Sequence, residues 1–283
     1  MQINIDQQKL PPGLYIVATP LGNLKDITLR GLETLASVDY IWCEDKRISV
    51  RLLQAYGIKT KLFAYHEHNA AAEMPHIIAK LEQGCSAALI SDAGTPLISD
   101  PGMKLVQECR EKQLPLIPIP GCSAPIAALS VAGLATNRFL FEGFLPTKKM
   151  KKIAILDELK NINATLVFFE SPKRLVASLE LIAEMLPDRQ VTVARELTKI
   201  YEEVISLPAP EIYAEFKARE RVRGEIVLLI APATSQEEVS QESIDKALVE
   251  ALAKMRVKEA ANFVAEQFGL PKKQLYQRAL ELK

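Results

Sequence analysis

LYIVATPLGNLKD, from Leu14 to Asp26, and AALISDAGTPLISDPG, from Ala87 to Gly102, share one construction. Each starts as an apolar run of the kind that forms a strand buried on both faces, and each breaks into Pro, Gly and other small residues where that strand should end. Open parallel α/β sheets bind ligands outside the carboxyl ends of their strands, where small residues let the backbone approach a bound molecule closely. The two stretches therefore predict a parallel sheet with a cofactor cleft at its carboxyl edge. ATPLGN lacks the GxGxxG spacing, so a nicotinamide-dinucleotide fingerprint is not supported.

Around these stretches, YIWCE (Tyr40 to Glu44), KLFAYH (Lys61 to His66) and LPLIPI (Leu114 to Ile119) are further strand-like runs separated by helical spacing. The first helix sets Leu29, Leu32, Leu35 and Ala36 on one face. This alternation predicts βα units over residues 13–121, after a tail at 1–12, with Gly121 at the domain border. A second α/β domain is expected over 122–232. Its strands are FLFEGF (Phe139 to Phe144), TLVFFE (Thr165 to Glu170), QVTVARE (Gln190 to Glu196), YEEVISL (Tyr201 to Leu207) and GEIVLLIA (Gly224 to Ala231). Arg195 to Tyr201 is short enough for a hairpin-like turn, so this sheet should be mixed, with antiparallel neighbours. Residues 233–241 are small and polar and read as a linker. Beyond it Ile244, Ala247, Leu248, Ala251, Leu252 and Met255 recur at helical spacing behind a capping Ser243. Ala261, Val264, Ala265 and Phe268 form a second apolar face ended by Gly269, and Pro271 opens a third helix with Leu275, Ala279 and Leu282. Residues 242–283 thus predict a small helical domain with a helix-turn-helix-like connection at FGLP.

The 283 residues are 48% hydrophobic, enough to fill two cores. No stretch is long and apolar enough for a membrane span, and MQINIDQQKLPPG has neither a basic nor an apolar leader region, so a cytoplasmic protein is expected. Cys43, Cys85, Cys109 and Cys122 have no CxxC spacing, which argues against a zinc or disulfide framework. His66 and His68 have no further ligand nearby, and no metal site is expected. Thirty-five basic residues balance thirty-five acidic ones, so nucleic acid can be held only by local patches. The best of these is KKMKK, with Lys148, Lys149, Lys151 and Lys152; Lys173, Arg174 and Arg195 are its candidate neighbours. From charge alone, a solvated start to a helix serves equally well.

ATPLGNLKD and SDAGTPLISDPG are followed in order by PIPGCSA (Pro118 to Ala124), GFLPTKK (Gly143 to Lys149), FFESPKR (Phe168 to Arg174) and RELTKIYEE (Arg195 to Glu203). Together these resemble the ribosomal RNA small subunit methyltransferase I family, of the tetrapyrrole-methylase-like class. The resemblance runs from about Gly13 to Pro232, with a weaker tail after it. It implies S-adenosylmethionine as cofactor, 2'-O-methylation of a cytidine in the decoding region of 16S rRNA, the rRNA or the small ribosomal subunit as partner, and a homodimer. It also implies that Pro20, Leu21 and Gly22 line one wall of the cofactor slot, with Asp92 and Thr95 beneath. Ser123 and Ala124, with Phe169, Leu197 and Gly224 from the second domain, would close the other wall. Read singly, Pro20 and Gly22 also suit a strand-to-helix turn, and Asp92 a helix cap.

A ribose hydroxyl is a poor nucleophile, and a base or a cation that stabilises the developing alkoxide should stand beside it. Glu44, Asp45 and Arg47 after the second strand, Glu170 in FFESP, and Arg195, Glu196 and Lys199 in RELTK sit where strands should end. Each also suits a solvated or salt-bridged role. The chain departs from the family pattern at Lys46 (usually Thr), Ala70 (usually an acid), Cys122 and Ala135 (both usually Pro) and Lys173 (usually His). The changes at Lys46, Cys122, Ala135 and Lys173 remove no carboxylate or glycine that the slot needs. Two other activities suit the same fold: methylation of a precorrin-type tetrapyrrole, and a non-catalytic RNA-binding assembly role.

Overall fold

The computed structural model describes residues 5–233, 241–268 and 271–282. Among them, ten strands form two five-stranded sheets. The first contains β1 (Gly13–Val17), β2 (Tyr40–Cys43), β3 (Lys61–Ala64), β4 (Ser86–Ile90) and β5 (Leu116–Ile119), all parallel, in the order β3-β2-β4-β1-β5. Crossovers α1 (Leu29–Ser37), α2 (Lys46–Ala55), α3 (Ala70–Glu82) and α4 (Met103–Glu111) cover its faces. The period-two alternation of buried strands sorts the side chains. Tyr15 and Val17 join Leu32, Leu35 and Leu53 in one core, while Leu14 joins Trp42, Ile77 and Leu105 in the other.

The second sheet runs β6-β7-β10-β8-β9, from β6 (Phe139–Phe144), β7 (Thr165–Glu170), β8 (Gln190–Arg195), β9 (Glu203–Pro208) and β10 (Ile226–Ile230). Only β6 and β7 pair in parallel, so the sheet is mixed as the sequence predicts. The last strand, β10, is inserted between β7 and β8, and all five of its residues are buried. One face packs on α6 (Lys149–Leu159), α7 (Pro172–Met185) and α8 (Ala209–Lys217). The other takes α5 (Ala124–Val131), whose Ala128 and Leu129 meet Val227 and Leu229. Thus α5, which follows the first sheet in sequence, belongs to the core of the second.

Residues 1–232 form one unit and 233–283 another. The second unit holds α9 (Gln241–Leu252), α10 (Val257–Phe268) and α11 (Lys272–Glu281), packed through Leu248, Ala261, Val264, Leu275 and Ala279. Arg278 and Asp245 pair at 2.6 Å across it.

Three sequence expectations move. Leu29 is 65% exposed, because Thr28 caps α1 by accepting from the Gly31 amide at 3.0 Å, and this start rotates Leu29 out of the buried stripe. Ser243 lies inside α9, which begins at Gln241, and is not its cap. Met255 falls beyond the end of α9 and is part-exposed. The stop at Gly269 and the FGLP turn lie outside the described residues.

Candidate active site

The two small-residue stretches are fastened to each other. Thr19 donates its amide to the Gly94 carbonyl at 2.8 Å and accepts from the Gly94 amide at 2.9 Å. The Thr19 hydroxyl donates to the Ser91 carbonyl, and the Thr95 hydroxyl donates to the Cys122 carbonyl at 2.9 Å. The loops after β1, β4 and β5 therefore form one rigid lip along the carboxyl edge of the parallel sheet. The second sheet faces this lip across a cleft.

Two adjoining cavities occupy the cleft. One, of about 330 Å³, is lined mainly by apolar groups: Leu21 and Ala93 from the lip, Ala124 from α5, and Phe144, Phe169, Ala194, Leu197, Gly224, Ile226 and Val227 from the second half, together with Glu170, Ser171 and Pro172. The ring of Phe169 packs against Phe141 and Phe144 with centroids 5.0 and 5.4 Å apart. The other cavity, of about 460 Å³, carries more polar groups than the first, with Thr19, Ser49, Arg51, Asp92, Lys199 and Glu225 on its walls beside Pro20, Gly22, Leu24, Ile48 and Leu52. Leu21, Ala93 and Glu225 border both. An apolar slot that opens on a charged chamber suits a ligand with a flat heterocycle at one end and charge at the other.

The turn between β8 and β9 shapes the boundary. Glu196 and Thr198 are non-glycine residues with φ of 52° and 67°, conformations that persist only where the surroundings hold them. Glu196 is held by hydrogen bonds from the Lys199 ammonium at 2.8 Å and the Glu225 amide at 3.0 Å. Its side chain lies against Gly224, where a Cβ would meet Glu196 Cγ at 2.3 Å, and the Gly224 φ of +91° also disfavours any other residue. Lys199 bonds Glu225 as well, at 3.0 Å. Burial works against the Lys199 ammonium, but these two carboxylates outweigh it and hold its pKa above the ordinary lysine value. Lys199 is therefore held in place by two carboxylates that favour its charged form. The Glu196 carboxyl is held low by the Lys199 hydrogen bond.

Asp92 accepts from the Asp45 amide at 3.0 Å, and burial raises its pKa. Asp45 caps α2 through the Arg47 amide and pairs with the Arg47 side chain, which holds its carboxyl down to about 2.

The expected site residues divide accordingly. Leu21, Ala124, Phe169, Glu170, Leu197 and Gly224 come together at the apolar cavity, and Pro20, Leu21, Gly22, Asp92 and Lys199 at the polar one. Thr95 and Ser123 line neither cavity; Thr95 ties loops together and Ser123 precedes α5. Asp45 and Arg47 pair with each other at the start of α2. Arg195 is turned to Glu203 at 3.1 Å and to the Arg223 carbonyl, away from the cavities.

Glu170 and Lys152 need correcting. The Glu170 carboxylate is fully buried, accepting from the Ser171 amide, Arg174 and the Ser178 hydroxyl, with the Lys152 ammonium 3.7 Å away. Glu170 lines the apolar cavity, but its carboxylate is taken up by these partners and braces the corner between β7 and α7. Lys152 is 5% exposed and donates to Ser178 at 2.6 Å, so only Lys148, Lys149 and Lys151 of the cluster face solvent. Lys173 is exposed, whereas Arg174 is committed to Glu170.

Sequence reasoning missed Arg51 and Ser49 of α2 and Glu225 at the start of β10. Arg51 follows Arg47 by one helical turn, which is the signal that could have found it. Glu225 sits in an ordinary-looking GEIV run with no such signal.

This geometry is that of the tetrapyrrole-methylase class. Residues 13–213 match the family profile "Tetrapyrrole (Corrin/Porphyrin) Methylases", and residues 237–283 match "RsmI C-terminal HTH domain". Among solved structures, diphthine synthase superposes with a TM-score of 0.62 at 16% identity, covering 77% of this chain and 89% of that one. The cobalt precorrin-4 methyltransferase gives 0.55 at 16% identity, covering 76% and 93%. The ribosomal RNA small subunit methyltransferase I of Mesorhizobium japonicum is 47% identical over 100% of this chain and 96% of its own length. The protein of that name from Escherichia coli O157:H7 is 46% identical over 95% of this chain and 94% of its own. The chain belongs to the ribosomal RNA small subunit methyltransferase I family.

Proposed function

We propose that this protein transfers the methyl group of S-adenosylmethionine to the ribose 2'-oxygen of a cytidine in the decoding region of 16S rRNA, as free RNA or in the small ribosomal subunit. The observation that carries the reading is the pair of cavities meeting at Leu21, Ala93 and Glu225, with Lys199 on the polar side. The adenine end of the cofactor suits the apolar cavity among Phe169, Leu197 and Val227. Its amino-acid end suits the polar chamber, where Asp92 offers a carboxylate to the ammonium. Pro20 and Gly22 let the lip approach the cofactor closely.

Transfer from a sulfonium needs the methyl group and the attacking oxygen in line and within near-attack distance, so positioning dominates. As the hydroxyl loses its proton, the fixed Lys199 cation stabilises the growing negative charge, with Glu196 and Glu225 keeping the ammonium in place. Asp92 and Glu225 are the carboxylates on that chamber able to receive the proton. Exposed Lys148, Lys149, Lys151 and Lys173 form the phosphate-binding face. A cytoplasmic homodimer is the expected working form, which light scattering of the purified protein tests.

The function is tested by mass spectrometry of ribosomal RNA from a deletion strain. A 2'-O-methylcytidine should be missing from the small-subunit RNA and return when the gene is restored. A full complement of methylated nucleotides would refute the reading. Loss of a methylated tetrapyrrole instead would favour the precorrin-type activity.

A further inference from the structure

A third cavity, the largest of the three at about 630 Å³, opens on the same carboxyl edge of the parallel sheet. Its walls include Glu44 at the end of β2, Tyr65 and Glu67 after β3, Met74 of α3, Asp100 in the loop after β4, and Met103 and Lys104 of α4. It adjoins the polar chamber, because Glu44 is followed by Asp45, whose amide is bonded to Asp92 of that chamber. None of its residues takes part in the proposed methyl transfer.

Its make-up is that of a nucleobase pocket. Met74 and Met103 provide soft apolar surface of the kind that packs against bases, and Met103 is 60% exposed. Tyr65 is 2% exposed, yet its hydroxyl has no hydrogen-bond partner among the described residues, although it lines the cavity. A ligand atom in the cavity would give this hydroxyl a hydrogen-bond partner. Glu44 and Asp100 face the same space, and carboxylates accept hydrogen bonds from the exocyclic amine of cytosine.

We infer that this cavity receives the base of the acceptor nucleotide, and that Glu44 and Asp100 select cytosine over uracil. The inference rests on the proposed RNA ribose methylation and adds the residues that choose the nucleotide. Cytosine presents a donor at position 4 and an acceptor at position 3; uracil presents the reverse. A carboxylate opposite position 4 attracts the cytosine amine and repels the uracil oxygen. Burial raises the pKa of both acids, and Asp100 pushes Glu44 up further. The other charged groups around Glu44 and Asp100 are Asp92 and Asp45 from the neighbouring loops, Glu67 from the loop after β3, and Lys104 from α4.

The test is single-turnover methylation of small-subunit particles by the full chain, using particles with either cytidine or uridine at the acceptor position. Wild type should prefer cytidine at least a hundredfold. Glu44→Ala and Asp100→Asn should each narrow the preference for cytidine at least tenfold, with S-adenosylmethionine affinity by calorimetry changed less than twofold. Glu44→Gln keeps the shape of the side chain and serves should Glu44→Ala fail to fold; it should narrow the preference in the same way. Unchanged preference in the folded Glu44 and Asp100 variants, or equal rates for both nucleotides in wild type, would overturn the inference and leave the methylation intact. Failure of wild type to methylate any particle would instead overturn the proposed function on which the inference stands.

Discussion

The stem of Lys199 lies across Gly22, so closely that a Cβ on Gly22 would sit 2.3 Å from Lys199 Cγ and 2.6 Å from Cε. This contact joins the lip of the parallel sheet to the turn of the mixed sheet. The stem cannot simply step aside, because its ammonium is tied to Glu196 and Glu225.

Gly22→Ala should therefore break the Lys199 ion pairs without disturbing either core. The expected result is a fall of roughly tenfold or more in single-turnover methylation, about 1.4 kcal/mol in the barrier, with the melting temperature within a few degrees of wild type. Lys199→Met should reproduce it. A Gly22→Ala protein with the wild-type rate would remove Lys199 from the chemistry.

Asp92 carries the cofactor side of the reading. It is partly buried on the polar chamber, and its carboxylate has a single backbone donor, the Asp45 amide. Asp92→Ala should weaken S-adenosylmethionine binding at least tenfold, about 1.4 kcal/mol or more, with far-ultraviolet circular dichroism unchanged. Calorimetry showing wild-type affinity would assign Asp92 to capping alone.

The lysine cluster should split in two. Lys148, Lys149 and Lys151 are exposed, and changing all three to Gln should weaken RNA binding and flatten its dependence on salt by a slope of about 2, at constant cofactor affinity. Lys152 belongs to a different structure. Removing its partner by Glu170→Ala leaves a buried ammonium without a counter-charge, and should cost about 3 to 5 kcal/mol in chemical denaturation. Loss of RNA affinity in a stable Lys152→Gln protein would contradict this division.

The same cluster shows where reading the sequence stops. Strand positions were legible because apolar runs ending in Gly and Pro leave few other options, and β1, β2, β4 and β10 lie where those runs stand. Pairing order was not, since nothing in GEIVLLIA states that β10 enters between β7 and β8. Lys152 looks like its neighbours in KKMKK, and only the turn of α6 toward Ser178 and Glu170 distinguishes it. Glu170 and Arg195 stand at strand ends as a catalytic group would, yet each is consumed by a neighbour that comes close only on folding. Lys199 and Glu196 were legible as a motif, but Glu225, twenty-six residues after Lys199, joins their pairing only through the fold.

Glu203 supplies a test by pH. Its carboxylate accepts from Arg219 at 2.8 and 3.0 Å and from Arg195 at 3.1 Å, and the Arg219 hydrogen bonds, followed by those of Arg195, hold its pKa below the ordinary glutamate value. A carboxyl with a depressed pKa in the folded state contributes stability that is full above its unfolded pKa and is lost as the pH falls through the folded one. The contribution should be about 1 kcal/mol, since the cluster is partly exposed and screened by solvent. Glu203→Gln should therefore melt below wild type from pH 7 down to about 5, with the gap closing as the pH approaches 3. Glu44, Asp92 and Asp100 have raised values and act in the opposite sense, binding protons more readily in the folded protein as the pH falls. Because they are common to both proteins, the difference between the two melting curves isolates Glu203. A gap that stays constant from pH 7 to 3 would mean that Glu203 contributes through packing and not through its charge.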